Sequence, residues 1–391
     1  MRDTPMHSDR RWAILTRVVA SLVSPVLLAG FVASACQAPG PKPVLSLEEE
    51  EFYRARQTFP ALFETAGRVR LGGAEEHPLS ARPLLKAITP EGSYIVLDKL
   101  NVRNVLVFAR DGHPVGRIGR EGRAPGEYIY PHNLHHDPTL GETCIYDGDL
   151  LRISCFAPDF KLRSSFTLPL FLDAFLVTRQ GRIFGYSSSI ATASGSRFVL
   201  HEVNASGQIL KAFAPQSAHY SELGASEGGG VANVGDHLYT VTPYEYRVTV
   251  YSQDGKRVLQ RKHGSPHYVL PPPPPALPSG GGGYDFQTRL AYHAQWSHIL
   301  QILSIDDKMV GVVFAEPGEG RVLMDLLNLD LAPIVEDIEL PRYTGDLLWH
   351  EGSLYFFLPE REEREGRLLN PTLARYRLAS PRVRPEKGSA R

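Results

Sequence analysis

The sequence predicts an all-β fold, a six-bladed β-propeller of four-stranded antiparallel blades. Three observations carry that expectation. A short pattern returns along the chain, usually two apolar residues, a few of any kind, and a small or acidic turn residue. It reads Val107-Phe108-Ala109-Arg110-Asp111-Gly112, then Cys155-Phe156-Ala157-Pro158-Asp159, then Glu202-Val203-Asn204-Ala205-Ser206-Gly207. It continues as Val250-Tyr251-Ser252-Gln253-Asp254-Gly255 and Leu326-Leu327-Asn328-Leu329-Asp330, and fades at Arg375-Tyr376-Arg377-Leu378-Ala379. With the second residue of each copy as marker (108, 156, 203, 251, 327, 376), the steps are 48, 47, 48, 76 and 49. A period of 40–50 residues built from short strands is that of a propeller with one blade per repeat. The third observation is the content of one period: runs rich in β-branched and aromatic residues, parted by Gly, Asp and Asn turns.

Residues 1–35 read as an export signal. Arg2, Arg10, Arg11 and Arg17 give a basic start, and Val18 to Ala35 carry no charge. At 18 residues, with Pro25 and Gly30, the run sits at the lower limit for a transmembrane anchor. Ala33-Ser34-Ala35-Cys36 resembles the lipobox of bacterial lipoproteins. That resemblance implies a lipid on Cys36 and membrane attachment through it, with ordinary signal-peptidase cleavage as the other reading. Gln37 rather than Asp after the cysteine fits outer-membrane sorting, so the expected location is exported and membrane-anchored, periplasmic or outer-membrane. Residues 36–45, with Pro39, Pro41 and Pro43, form an extended tether. Residues 46–63 place Leu47, Phe52, Ala55, Phe59 and Leu62 at helical spacing behind a Ser46/Glu49 capping box, and predict a short helix outside the ring.

The propeller itself is expected over 64–379. Blade one runs through Leu84–Ile88, Ser93–Asp98, Asn104–Phe108 and Pro114–Ile118. Blade two spans Tyr130 to Leu168, and blade three takes Arg179-Gln180-Gly181 as its first turn. Blade four has Val234-Gly235-Asp236 and Asp254-Gly255, and blades five and six cover about Ile299–Leu340 and Leu347–Leu378. Arg68-Val69-Arg70-Leu71 lacks a hairpin of its own and is expected to pair with blade six, closing the ring. The long step holds a Pro/Gly-rich insertion, 264–297, between blades four and five. It reads as a solvent-exposed loop or as a flap whose aromatics, Tyr284, Phe286, Tyr292 and Trp296, cover a channel mouth. The tail 380–391 reads as disordered.

Gly116-Arg117-Ile118-Gly119-Arg120-Glu121-Gly122-Arg123-Ala124-Pro125-Gly126-Glu127-Tyr128 lacks both the helix N-terminus and the lysine of a phosphate loop. It resembles instead the inter-blade segment of bacterial six-bladed propeller lipoproteins related to NHL-repeat and TolB-like propellers. Arg152-Ile153-Ser154-Cys155-Phe156 and Arg247-Val248-Thr249-Val250-Tyr251 similarly resemble the Arg-Ile-x-Val-Phe strand of NHL repeats. The resemblance implies fold and envelope location, and transfers no catalytic residue.

Lys plus Arg total 42 against 43 Asp plus Glu, a net charge of −1, which offers no field for nucleic acid. Cys144 and Cys155 fall on adjacent strands of one hairpin, where a cross-strand disulfide and two buried thiols both fit. No zinc-type Cys/His set occurs. The cluster His132-Asn133-Leu134-His135-His136-Asp137 has helical rather than strand spacing for metal ligands. The favoured function is therefore a binding or scaffold module for a protein, peptide or glycan partner, with no cofactor and no assigned catalytic residue. The alternative is a lactonase-like metal-dependent hydrolase or lyase holding one divalent cation in the axial channel, its ligand set unknown. The channel-lining candidates, chosen by strand position, are His132, His135, Asp173, Asn233 and Asp346.

Overall fold

The computed structural model describes residues 44–73, 78–80, 82–99, 103–188, 197–217, 228–272, 294–318, 320–360, 363–364 and 367–381. The signal, Cys36, most of the tether, the centre of the insertion with Tyr284, Phe286 and Tyr292, and residues 382–391 lie outside them.

Six four-stranded antiparallel sheets stand around one axis. Their innermost strands are Leu84–Ile88, Pro131–Asp137, Ala174–Val177, Gly230–Val234, His298–Ile305 and Thr344–His350, and each touches the next until the ring closes. Blade six is completed from the other end of the chain. Phe63–Arg70 pairs antiparallel with Thr372–Leu378 as its outermost strand, and the Ala379 amide donates to the Leu62 carbonyl at 2.7 Å.

The core is divided into six clusters, one in each gap between neighbouring blades. In Tyr94–Asp98, Tyr94 and Val96 pack toward blade six while Ile95 and Leu97 pack toward blade two. Both faces of such a strand are covered, so its sequence is a continuous apolar run rather than an alternating one.

The recurring sequence pattern is the outer hairpin of each blade. In five blades the ladder slips by one residue at the marker: between 107 and 108, 155 and 156, 202 and 203, 250 and 251, and 326 and 327. Such a bulge follows from a tight turn that ends in a left-handed residue. Gly112, Gly207 and Gly255 hold that place at φ +88°, +82° and +76°, and Phe160 and Leu331 hold it in blades two and five. Glycine has a second reason here. A Cβ on Gly112 would lie 2.2 Å from the Arg70 carbonyl oxygen, and one on Gly207 1.8 Å from that of Thr167, each on the outermost strand of the preceding blade. The turn is therefore also an inter-blade contact.

The Gly116–Tyr128 string fastens blade one to blade two. The Arg152 guanidinium donates to the carbonyls of Arg123 (2.7 Å), Ala124 (2.8 Å) and Glu127 (2.6 Å). Glu127 accepts from the Ala124 amide and from Arg120. The Tyr128 hydroxyl donates to the Ile118 carbonyl and accepts from the Val105 amide. The single helix expected over 46–63 is two. Helix α1 spans Leu47–Arg54 with the Ser46/Glu49 capping box formed, and α2 is one turn, Phe59–Leu62. Residues 55–58 separate them, and Pro60 stands in the first turn of α2, where its missing N–H leaves no helical hydrogen bond unmade. The propeller accordingly begins at Phe63. Helix α1 packs outside blade five, where Lys308 pairs with Glu49 at 3.0 Å. Cys144 and Cys155 are directly opposed on their strands and joined as a disulfide.

Candidate functional site

All six innermost strands begin at the same end of the ring, and there the axial channel widens into a cavity of about 980 Å3. We call this end the upper mouth. Its wall is made by the first residues of those strands and the segments that lead into them.

Four of the six strands are irregular at this end. In blade one Leu85 pairs with Val96 and Ala87 with Ile95, so Lys86 is an extra residue without a partner. In blade two Pro131 pairs with Asp147 and Asn133 with Tyr146, which leaves His132 extra. Leu300 is extra in blade five, and in blade six the ladder is interrupted between Thr344 and Leu348, around Asp346. A bulge turns a side chain away from the direction that regular alternation would give it. Here the four bulges bring Lys86, His132, Leu300 and Asp346 into one wall. Gly345 (φ +79°) permits the blade-six irregularity, since a Cβ there would lie 2.3 Å from the Pro83 carbonyl oxygen.

Lys86 Nζ lies 2.5 Å from Asp346 Oδ2. Burial alone would push the Asp346 carboxyl up, but the charge and hydrogen bond of Lys86, with Lys99 and His132, hold it below its ordinary value. Tyr343, beside it in the wall, is pushed well up by burial and by the Asp346 charge. His132 is 5% exposed and packs against Tyr130, Tyr146 and Phe171. Burial, then the charges of Lys99 and Lys86, push its imidazole down to about 3, so it is neutral at physiological pH. Its Nδ1 is buried without a hydrogen-bond partner, and so is Thr344 Oγ1 in the same wall. Asp173 is held by Ser188, whose amide donates to it at 2.5 Å and whose hydroxyl also donates.

The wall carries charge of both signs, and Arg321 in it pairs with Glu316 at 2.6 Å. Its cationic side chains are Arg82, Lys86, Lys99, Arg321 and Arg342. Its carboxylates are Asp173, Asp346 and Glu339, two fewer. Tyr130, Tyr186 and Tyr343 supply its aromatic surface.

The structure thus gathers three of the five sequence candidates, His132, Asp173 and Asp346. His135 and Asn233 lie further along their strands and are not in this wall. His135 is half-buried near Phe175, and burial pushes it down to about 4. Asn233 closes its own turn, its Nδ2 donating to the Gly235 carbonyl at 3.0 Å. Trp296 is also outside the wall, beside Ser297, which binds His267 and Val269 and so joins the two ends of the insertion. Among the described residues, the one cluster of three metal-capable groups is Glu142 with Cys144 and Cys155, and both sulfurs are in the disulfide. Sequence reasoning missed Lys86, Lys99, Arg82, Arg342 and Tyr343. For Lys86 a signal existed: it is the one charged residue in an otherwise apolar innermost strand, Leu84-Leu85-Lys86-Ala87-Ile88.

Known proteins agree with this fold. A family profile, DUF5128, described as a six-bladed beta-propeller, matches residues 76–265. The chain is a six-bladed β-propeller. A Bacteroides fragilis protein described as exported superposes with a TM-score of 0.60 at 14% identity, over 83% of this chain and 97% of that one. A member of the DUF4221 family from Bacteroides vulgatus gives a TM-score of 0.58 at 9% identity, over 82% of this chain and 98% of its own. Peptidylglycine alpha-amidating monooxygenase of Rattus norvegicus is 27% identical over 202 residues. That stretch is 47% of this chain and 20% of the rat protein, so the chain spans about a fifth of that relative's length.

Proposed function

We propose that this propeller is an exported, lipid-anchored envelope module that holds a protein, peptide or glycan partner at its upper mouth without transforming it. The observation that carries the reading is the convergence of three polar residues, each displaced by a strand irregularity, on one cavity: Lys86, His132 and Asp346. Irregularities at the rim of a closed β-structure re-aim side chains for recognition, and a rigid ring keeps them in place. The basic, then apolar N-terminus ending at Cys36 supports export and anchoring. The Cys144–Cys155 disulfide supports the same compartment, since such bonds persist where conditions are oxidising. The exported B. fragilis relative is consistent with it. The metal-dependent alternative has less support, because two of the wall's three carboxylates are already engaged, Asp346 by Lys86 and Asp173 by Ser188.

A photo-crosslinking amino acid at Tyr343, in cells of the native type, tests the reading. It should give a discrete adduct absent when the same group replaces Val258 on the outer strand of blade four. Equal labelling at both positions, or none at Tyr343, contradicts it. Cys36→Ala should release the protein from membranes, and retention would remove the anchor. Stoichiometric calcium or zinc in the purified protein, lost in Asp346→Asn, would favour the hydrolase alternative.

A further inference from the structure

We propose that the chain pairs with a second copy of itself across the outer edges of blades four and five, about a two-fold axis parallel to the axis of the ring. This surface is separate from the upper mouth and keeps its meaning whatever that mouth holds. It has two halves of opposite charge, side by side.

One half is a strip of cations. The outermost strand of blade four, Arg257–Lys262, is exposed along almost its whole length and carries Arg257, Arg261 and Lys262, with Lys256 in the turn before it. None of the four pairs with a carboxylate among the described residues: Arg257 bonds Gln260, and Arg261 donates to the Leu331 carbonyl at 3.0 Å. The acids nearby are engaged elsewhere, Glu245 by Arg247 at 3.2 Å and Asp254 by Arg182 at 3.5 Å. Cations on an open edge strand also discourage sheets from joining there. The outermost strands of the other five blades meet that need with two cations at most, so the blade-four strip exceeds it.

The other half is acidic and adjoins the first. On helix α1, outside blade five, Glu49 is held by Lys308, and Glu50 by Asn328 and Arg54. Glu48 and Glu51 stay exposed on the helix, as do Asp330 and Glu336 on the blade, and none of these four pairs with a cation among the described residues. The halves share a border, because the Leu331 carbonyl that receives Arg261 lies three residues beyond Asn328, which holds Glu50. Apolar side chains stand exposed in both: Val258 (51%) and, beside Lys262, Leu270 in the basic half, Val44 (68%) and Leu47 (80%) in the acidic one. Such a surface is complementary to itself. A two-fold axis parallel to the ring axis sets the basic strip of each copy against the acidic half of the other, twice. A two-fold axis perpendicular to that, in the same plane of contact, would oppose like charges and repel. The net charge of −1 leaves no long-range repulsion between copies. Both upper mouths then open on the same side of the pair, where one extended partner can reach two cavities.

The test is sedimentation velocity of the full chain in detergent, with micelles in large excess so that two copies do not share one by chance. The parent should be a dimer that weakens as salt is raised. Lys256→Glu, Arg257→Glu and Lys262→Glu together turn the strip acidic, and Glu48→Lys, Glu51→Lys and Glu336→Lys together turn the other half basic. Each triple variant alone should associate at least tenfold more weakly than the parent. An equimolar mixture of the two should recover the dimer, because each half again meets its opposite. Should either variant fail to fold, Arg257→Gln with Lys262→Gln, both at exposed positions, should still weaken association several-fold. A monomeric parent, a dimer indifferent to these substitutions, or a mixture of folded variants that does not recover overturns the proposal. So does binding to phosphatidylglycerol vesicles that needs Arg257 and Lys262 while the chain stays monomeric, which would give the strip to a lipid surface. A photo-crosslinker at Val258 should trap a second copy, an adduct of twice the chain's mass that differs from the one captured at Tyr343. Loss of the first with the second retained removes the pairing and leaves the role of the upper mouth standing.

Discussion

Asp325 offers the sharpest test of how neighbouring blades are held together. It sits on the third strand of blade five, 1% exposed, facing Tyr246 of blade four. The Tyr246 hydroxyl donates to Asp325 Oδ2, and the Asp337 amide donates to Oδ1 at 2.7 Å. Burial pushes the carboxyl up to about 7; the two hydrogen bonds oppose that, and the charges of Asp337 and Glu336 add to it. An acid whose folded pKa is raised binds its proton more tightly in the folded state. Its contribution is therefore fully present below the ordinary value of 3.8 and is lost as pH rises through about 7. A rise of about three pH units corresponds to about 4 kcal/mol in total, of which about 2.5 kcal/mol falls between pH 5 and pH 8. Asp325→Asn keeps the shape and removes the titration. Urea unfolding of both proteins at pH 5, 6, 7 and 8 should show the parent losing about 2.5 kcal/mol relative to the variant across that range. Parallel pH dependences would refute the reasoning, and would mean that water reaches the carboxylate or that the strands part to solvate it.

The other predictions concern the fasteners and the cavity. Arg152→Ala strands the carbonyls of Arg123, Ala124 and Glu127 and should lower unfolding stability by about 2–3 kcal/mol, with little rescue by Arg152→Lys, whose point charge lacks the fork. Gly207→Ala should destabilise far more than the ordinary cost of a left-handed alanine, because its Cβ would overlap the Thr167 carbonyl; a thermal midpoint near the parent's would show that the two blades separate easily. Replacing Cys144 and Cys155 together by serine opens a loop of sequence separation 11 and should cost about 3 kcal/mol, matched by dithiothreitol treatment of the parent. His132 should show no imidazole titration by NMR between pH 4.5 and 8, as its pKa of about 3 requires; an inflection near 6.5 would place it in open solvent.

The features legible in the sequence are those encoded within a few residues. The outer hairpin of each blade is written in its turn chemistry, so Asp111-Gly112 and Asp254-Gly255 announce both the turn and the one-residue slip beside it. Blade closure was legible for a different reason: Arg68–Leu71 is a strand-like segment without a hairpin partner, and the last blade lacks its outermost strand. The cavity was not legible in the same way. Reading strands as regular alternation gives no direction to Lys86, because a single extra residue reverses the face on which it emerges. Lys86 and Asp346 are 260 residues apart, and only ring closure makes them neighbours. His135 and Asn233 share strands with cavity residues but lie further along them, outside this wall.

The most direct test is a crystal structure of the propeller with the partner captured in cells through the photo-crosslinker at Tyr343. The partner is expected in the upper cavity, against Lys86, His132 and Asp346. A partner seated only at the opposite mouth or on the outer strands, with the Lys86–Asp346 corner empty, would contradict it.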